Sequence, residues 1–297
     1  MFMSSRERKS KLKISSLFNS DRTVLSFEVF PPKKNGSVET VYNTIAELQS
    51  LRPDYISVTY GAGGSAANNY TCDIASLIKN KYGIEAMAHL TCVNSTKADV
   101  DRVLNELKEN NIENILALRG DKNPEFEPKT DFTYANDLVS YIKSKGDFGI
   151  SVAGYPETHF EAPNGKVDIA NLKNKVDCGA QSIVTQLFFN NSYFYRFRDR
   201  CDIAGITVPI SAGIMPVTNK NQIERMVSMC GASLPRKFVK MIQKYEDRPE
   251  AFVDAGIAFA IDQIIDLVAN GVDGIHIYTM NNPYIARKIT ESIKGLL

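Results

Sequence analysis

Six runs of β-branched and aromatic residues each end on a polar side chain able to do chemistry: Glu28, Thr59, His89, Arg119 with Asp121, Tyr155 and Gln186. Glu28 lies in Ser26-Phe27-Glu28-Val29-Phe30-Pro31-Pro32. In an extended chain Leu25, Phe27 and Val29 share one face, with Ser26, Glu28 and Phe30 on the other. A carboxyl among aromatics and prolines is partly desolvated, which predicts a raised pKa and a proton held at neutral pH, the state a general acid needs. The competing reading is a glutamate paired with a cation across the core, because ion pairs perturb a carboxyl too. Arg119-Gly120-Asp121 sets opposite charges two residues apart, on one face while the strand persists. The glycine between them would let a flat ligand approach the backbone, although a structural ion pair gives the same pattern. His89 alternates with Met87 and Thr91, and a lone histidine so placed is more often a satisfied core residue than a catalyst or ligand. His89, His159 and His276 lack metal-ligand spacing, so no metal is expected. Asp168, Asn171 and Lys175 fall on one helical face, which is solvated surface unless a ligand covers it.

Such groups act together only if one scaffold gathers them. Eight strand candidates span 24–30, 55–60, 85–92, 115–119, 149–155, 182–189, 208–214 and 274–279. Helical spacing of apolar residues separates them, as in Val38, Val41, Ile45 and Leu48, or Val100, Val103, Leu104 and Leu107. This alternation implies right-handed βαβ units and a parallel sheet, and eight units close into a (β/α)8 TIM barrel with its chemistry at the strand ends. An open doubly wound sheet binding a dinucleotide would carry G-x-G-x-x-G between strand and helix, and none is present. Gly61-Ala62-Gly63-Gly64 lacks that spacing and reads as a loop at the barrel mouth. The stretch 219–270 predicts an extra helical segment between strands 7 and 8: a short helix near 223–229, another from Pro235 and a long one over 251–269. The expected organisation is a basic tail, 1–20, and one catalytic barrel, 21–297.

Composition narrows the function classes. Of 297 residues 43% are hydrophobic and 23% charged, ample for a core and too apolar for a disordered chain. Lys+Arg 35 against Asp+Glu 34 gives a net charge of +1, which argues against a nucleic-acid partner. No apolar run reaches the roughly 18 residues of a membrane span. Five cysteines without a C-x-x-C pair predict reduced thiols, and the basic start lacks the apolar segment of a secretory signal, so a cytoplasmic protein is expected.

With these residues in place, the sequence resembles the methylenetetrahydrofolate reductase family in its single-domain bacterial form. The resemblance runs from about Phe27 to Asn281. It rests on the segment around Glu28, Ser57-Val58-Thr59-Tyr60-Gly61-Ala62, His89-Leu90-Thr91-Cys92, Leu116-Ala117-Leu118-Arg119-Gly120-Asp121, Tyr155-Pro156-Glu157 with His159, and Thr185-Gln186-Leu187-Phe188-Phe189. It implies a flavin barrel that reduces 5,10-methylenetetrahydrofolate to 5-methyltetrahydrofolate for methionine synthesis. NADH or NADPH would give hydride to FAD and leave before the folate takes it, in two half-reactions at one site. Glu28 would be the general acid and Asp121 a catalytic and pterin-binding carboxylate near the flavin N1 side. At ~4 Å and an effective dielectric of about 20 its interaction with a reduced flavin has a ceiling of roughly 4 kcal/mol. Thr59 and Gln186 would bind substrate. Tyr60, Ala62, His89, Arg119, Gly120, Asp121, Tyr134, Ala135, Tyr155, His159, Asp168, Asn171 and Lys175 match positions that hold FAD. Lys220 stands where familiar members carry an aromatic, and Asn282 where they carry a basic residue. A homo-oligomer is expected. Beside this resemblance stand two other readings: another FAD barrel oxidoreductase of the proline dehydrogenase kind, or a flavin- or pterin-binding protein without turnover. An aldolase-type barrel would favour a lysine at a strand end, which is not evident.

Overall fold

The computed structural model describes residues 12–32, 36–60, 70–121 and 129–297, so Ala62 and its glycine-rich loop lie outside the described residues. Eight parallel strands close on themselves: β1 Val24–Val29, β2 Tyr55–Val58, β3 Glu85–Thr91, β4 Asn114–Leu118, β5 Gly149–Gly154, β6 Ser182–Thr185, β7 Ile210–Ile214 and β8 Gly274–Tyr278, with β1 paired to β8. The fold is the expected (β/α)8 barrel. The helices are α1 Val38–Leu48, α2 Thr71–Ser76, α3 Lys97–Glu109, α4 Ala135–Lys145, α5 Gly165–Asp177 and α6 Asn191–Ile203, then α7 Lys220–Cys230, α8 Arg236–Tyr245 and α9 Pro249–Ala269 between β7 and β8, and α10 Pro283–Ile293.

Period-two alternation decides what faces where. Leu25, Phe27, Val29, Ile56, Val58, Ile275 and Ile277 point outward into the layer shared with the helices. Inward, Val24, Tyr55, Met87, Leu116 and Val184 fill the lower lumen. Above them the lumen turns polar, through Ser26, Ser57, His89 and His276, all buried. Helix starts are capped by local side chains: Thr96 and Asp99 form a capping box on α3, and Asn164 accepts from Lys166 N and Val167 N at α5.

Two expectations change. All strands but β7 end one to four residues earlier than the apolar runs suggest, so Thr59, Arg119, Tyr155 and Gln186 stand on the loops that leave the barrel rather than in strands. From residue 12 the expected basic tail packs onto the barrel: a 3-10 turn at Ile14–Asn19 buries Ile14 against the lower lumen, with Leu17 and Phe18 beside it. Asn114 locks this plug, donating to Leu12 O at 2.9 Å and accepting from Ile14 N at 2.9 Å.

The segment α7–α9 forms its own apolar cluster, with Phe238, Phe252, Val217 and Ile223 packed on Leu187 and Phe189. Gly256 makes this possible, since a Cβ there would lie 1.8 Å from Val217 O. Gln263 of α9 donates to Phe188 O at 2.9 Å. The stretch after β6, which carries Gln186, is thereby held at the mouth.

Candidate functional site

Glu28 projects from the upper end of β1 into the lumen. Its Oε2 lies 3.5 Å from His276 Nε2 on β8 and 3.5 Å from His89 Nε2 on β3. The strand register explains the convergence: Ser26 pairs with His276, and Glu28 with Ser57 and Tyr278. The backbone is tied down as well, because Thr279 Oγ1 donates to Glu28 O at 2.6 Å and Asn281 brackets Phe30 through its N and O.

The electrostatics correct the expectation of a raised carboxyl. Burial is the largest influence and pushes the Glu28 pKa up, but the His276 hydrogen bond, the two imidazoles and Ser57 together bring it below its ordinary value. The reason is that these partners come from strands far away in sequence, which local reading does not supply. Burial pushes His89 down to about 4 despite the pull of Glu28, so the ring is neutral at neutral pH. Its Nε2 is buried and makes no hydrogen bond.

His276 is the residue that sequence reading passed over. It is fully buried, with Nδ1 2.7 Å from Ser26 Oγ and Nε2 3.4 Å from Ser57 Oγ. The signal that finds it is the alternation Gly274-Ile275-His276-Ile277-Tyr278, which puts His276 and Tyr278 inward. Tyr278 donates to Thr185 O at 2.7 Å, and its phenol is pushed well above its ordinary pKa by burial and by Glu28.

A second group lines the loops after β4 and β5. The expected shared face of Arg119 and Asp121 is not formed, because β4 ends at Leu118 and Gly120 turns the chain at φ 84. Arg119 instead makes a two-pronged ion pair with Glu161, and its Nε donates to Gly120 O at 3.3 Å. Asp121 is exposed. Gly120 has a packing reason: a Cβ would lie 2.9 Å from Thr91 Cβ, in addition to its left-handed φ.

The turn that follows β5 is built tightly. Thr158 adopts φ 76, a strained value for a β-branched residue. His159 N donates to Asp168 Oδ2 at 3.1 Å. Glu161 N donates to His159 Nδ1 at 3.1 Å, which leaves the ring proton on Nε2. The Tyr155 and His159 rings meet edge to face at 4.5 Å. Lys175 reaches back along α5 to donate to Ala153 O at 2.6 Å, and burial brings its ammonium down to about 8 against the pull of Asp168. Asn171 on the same helix is exposed. Tyr134 is exposed beside Ala135 at the start of α4, its N bound to Asp137 Oδ2 at 2.9 Å. Thr59 O accepts from Thr71 at 2.8 Å, and Gln186 turns its Oε1 to Leu187 N at 2.9 Å. The two positions that depart from the familiar pattern have local uses: Lys220 pairs with Glu246 at 2.6 Å and Asn282 caps α10 by accepting from Ile285 N at 3.3 Å.

This geometry puts a buried acid and two imidazoles in the lumen, below a rim carrying a guanidinium, an imidazole and a lysine. The family model described as methylenetetrahydrofolate reductase matches residues 13–294. The chain belongs to the methylenetetrahydrofolate reductase family. It is 39% identical to the 5,10-methylenetetrahydrofolate reductase of Pectobacterium carotovorum subsp. carotovorum over 272 residues, 92% of this chain and 90% of that protein. The 5,10-methylenetetrahydrofolate reductase of Escherichia coli (strain K12) is 39% identical over 91% of this chain and 90% of its own. A plant member, methylenetetrahydrofolate reductase (NADH) 1 of Arabidopsis thaliana, is 39% identical over 91% of this chain but only 48% of its own length. Among solved structures, a Clostridium thermocellum protein that binds two copies of 5-methyl-5,6,7,8-tetrahydrofolic acid superposes with TM-score 0.64 at 14% identity, covering 96% of this chain and 99% of that one. That likeness shows the shared barrel. Among the described residues no helix is long and apolar enough to cross a membrane.

Proposed function

We propose that this member of the methylenetetrahydrofolate reductase family is an FAD enzyme that reduces 5,10-methylenetetrahydrofolate to 5-methyltetrahydrofolate with a reduced nicotinamide, in two half-reactions at the barrel mouth. The observation that carries the reading is the buried carboxyl of Glu28 flanked by His89 and His276. Relatives named as NADH enzymes favour NADH as the donor. The product is a methyl donor for methionine synthesis, and the working form is a cytoplasmic homo-oligomer.

The residues present suit FAD. His89 offers a buried nitrogen still lacking a hydrogen bond, His159 offers Nε2–H, and Arg119 and Lys175 supply donors for a diphosphate. Tyr60, Ala62, Gly120, Asp121, Tyr134, Ala135, Tyr155, Asp168 and Asn171 complete the assignment. When bound, FAD supplies a two-electron carrier between nicotinamide and folate.

Glu28 holds the proton that opens the folate's five-membered ring. In the ligand-free protein the carboxyl is ionised at neutral pH. A pterin over the mouth deepens the desolvation that pushes the carboxyl up against its donors, and so favours the protonated acid. Thr59 and Gln186 orient the folate, and Asp121 binds the pterin and sets the charge beside the cofactor.

The test is an absorption spectrum of the purified protein followed by anaerobic titration with each nicotinamide and then the folate. Glu28→Gln should keep nicotinamide oxidation largely intact and lose folate reduction by about 100-fold or more, the scale of general acid catalysis. Equal loss in both half-reactions removes Glu28 from the acid role. Reoxidation by proline instead of the folate would identify the proline dehydrogenase-like alternative, and a bound flavin without turnover the pure binder. Asp121→Asn should raise the flavin reduction potential, and an unchanged potential removes its electrostatic role.

A further inference from the structure

Barrel lumens are usually packed with branched aliphatics, yet the layer beneath Glu28 holds a fully buried imidazole. Both nitrogens of His276 face side chains: Nδ1 is 2.7 Å from Ser26 Oγ, and Nε2 lies between Ser57 Oγ at 3.4 Å and Glu28 Oε2 at 3.5 Å. Ser26 Oγ also lies 3.3 Å from Ile275 O. A hydroxyl has one proton and so must choose between these acceptors. Directed at Nδ1, it leaves the ring proton on Nε2, facing an ionised Glu28 with Ser57 Oγ beside it. Directed at Ile275 O, it lets Ser26 accept Nδ1–H, and Nε2 becomes an acceptor for a protonated Glu28. The two arrangements differ by one proton, gained from solvent at the mouth, and by which ring nitrogen carries the imidazole proton. Neither leaves these buried groups unpaired, which is the condition a carboxyl must meet to be stable in both states away from water.

We infer that His276, steered by Ser26, is the positioning residue for Glu28, a tautomeric partner that fits the carboxyl both with and without its proton. The inference rests on the proposed role of Glu28 as a proton donor, because only a residue that must exist in both states needs such a partner. The other titratable groups facing the carboxyl are His89 on β3, Tyr55 on β2 and Tyr278 on β8. Burial pushes both phenols above their ordinary range, so neither changes charge with Glu28; His89, held down to about 4, titrates in the same acid window, and its nitrogen-15 signals are followed separately from those of His276.

Two measurements on the ligand-free protein test this without turnover. Difference infrared spectroscopy, with Glu28→Gln as the subtraction, gives the titration midpoint of Glu28. His276→Leu should move that midpoint to alkaline pH by about one to two units, because burial persists while the opposing donor is gone. His276→Gln, whose amide can turn either group to the carboxyl, should stay within about half a unit of the parent, since a hydrogen-bonding partner is retained. Nitrogen-15 spectra of the parent protein should show the His276 proton moving from Nε2 to Nδ1 across the same midpoint, and no such exchange in Glu28→Gln. An unmoved midpoint in His276→Leu, or a tautomer that stays fixed while Glu28 titrates, overturns the inference; the nitrogen-15 experiment decides the matter if His276→Leu fails to fold. Retention of folate reduction by Glu28→Gln would instead defeat the acid role, leaving the measured coupling in place.

Discussion

Buried glutamates stand at both ends of the barrel, and their surroundings move them in opposite directions. At the closed end Glu85 accepts from Lys79 at 2.6 Å and from Asn114 at 2.9 Å, with Glu113 also within 3.3 Å of the same lysine. Burial there outweighs the lysine, and Glu113 adds to it, so the Glu85 pKa is raised. At the mouth the donors around Glu28 outweigh burial and its pKa is lowered. The closed end is a two-carboxylate, one-ammonium cluster stitched to the plug through Asn114, whereas the mouth leaves a buried imidazole nitrogen without a hydrogen bond. One end is arranged for persistence and the other keeps capacity for a ligand.

The largest expected effect falls at the closed end. Lys79→Met strands two buried carboxylates and should cost about 3–5 kcal/mol in urea unfolding, while Glu28→Gln should cost no more than about 1 kcal/mol, the worth of a typical hydrogen bond. Equal losses would erase the contrast between the ends. Next, Ile14→Ala opens a cavity beneath the lumen and should cost about 2–4 kcal/mol; a free, solvated tail would show no change.

A smaller difference is separated by pH. The folded pKa of Glu28 lies below its ordinary value of 4.5, so its contribution is present above that pH and is lost as pH falls through the folded value. Glu85 has a raised folded pKa, so its contribution is present below 4.5 and is lost as pH rises through the folded value. Glu28→Gln should therefore flatten the acid side of the stability profile, and Glu85→Gln the decline toward neutral pH. Unfolding midpoints measured from pH 3 to 7 check both slopes. The smallest effect belongs to the rim: Glu161→Gln exchanges a partly exposed ion pair for a neutral contact and should change stability by less than about 1 kcal/mol in the same unfolding assay.

Much of the barrel was legible because its alternation is written residue by residue. Leu25, Phe27 and Val29 against Ser26 and Glu28 read correctly from spacing alone, and the helices of the 219–270 stretch follow from their apolar periods. The Glu28 environment was not legible, since its decisive partner comes from β8, 248 residues away. The Arg119–Asp121 face failed because a left-handed glycine ends the extended geometry that the spacing presumes. The plug escaped notice because Ile14, Leu17 and Phe18 sit in a basic stretch whose charges suggest solvent. His276 escaped for a different reason: a solitary histidine carries no pattern of its own, and only the small and aromatic residues flanking it in β8 show which way it faces.

The seam between β1 and β8 has a consequence for how the protein comes into being. Glu28 is translated early, yet its side chain meets His276 and its carbonyl is secured by Thr279 only when the last strand is in place. A ribosome-bound chain halted before Gly274 holds Glu28 with Ser57 and His89 but without His276, Tyr278 and Thr279, so the surroundings of the carboxyl are completed only after nearly the whole polypeptide has emerged.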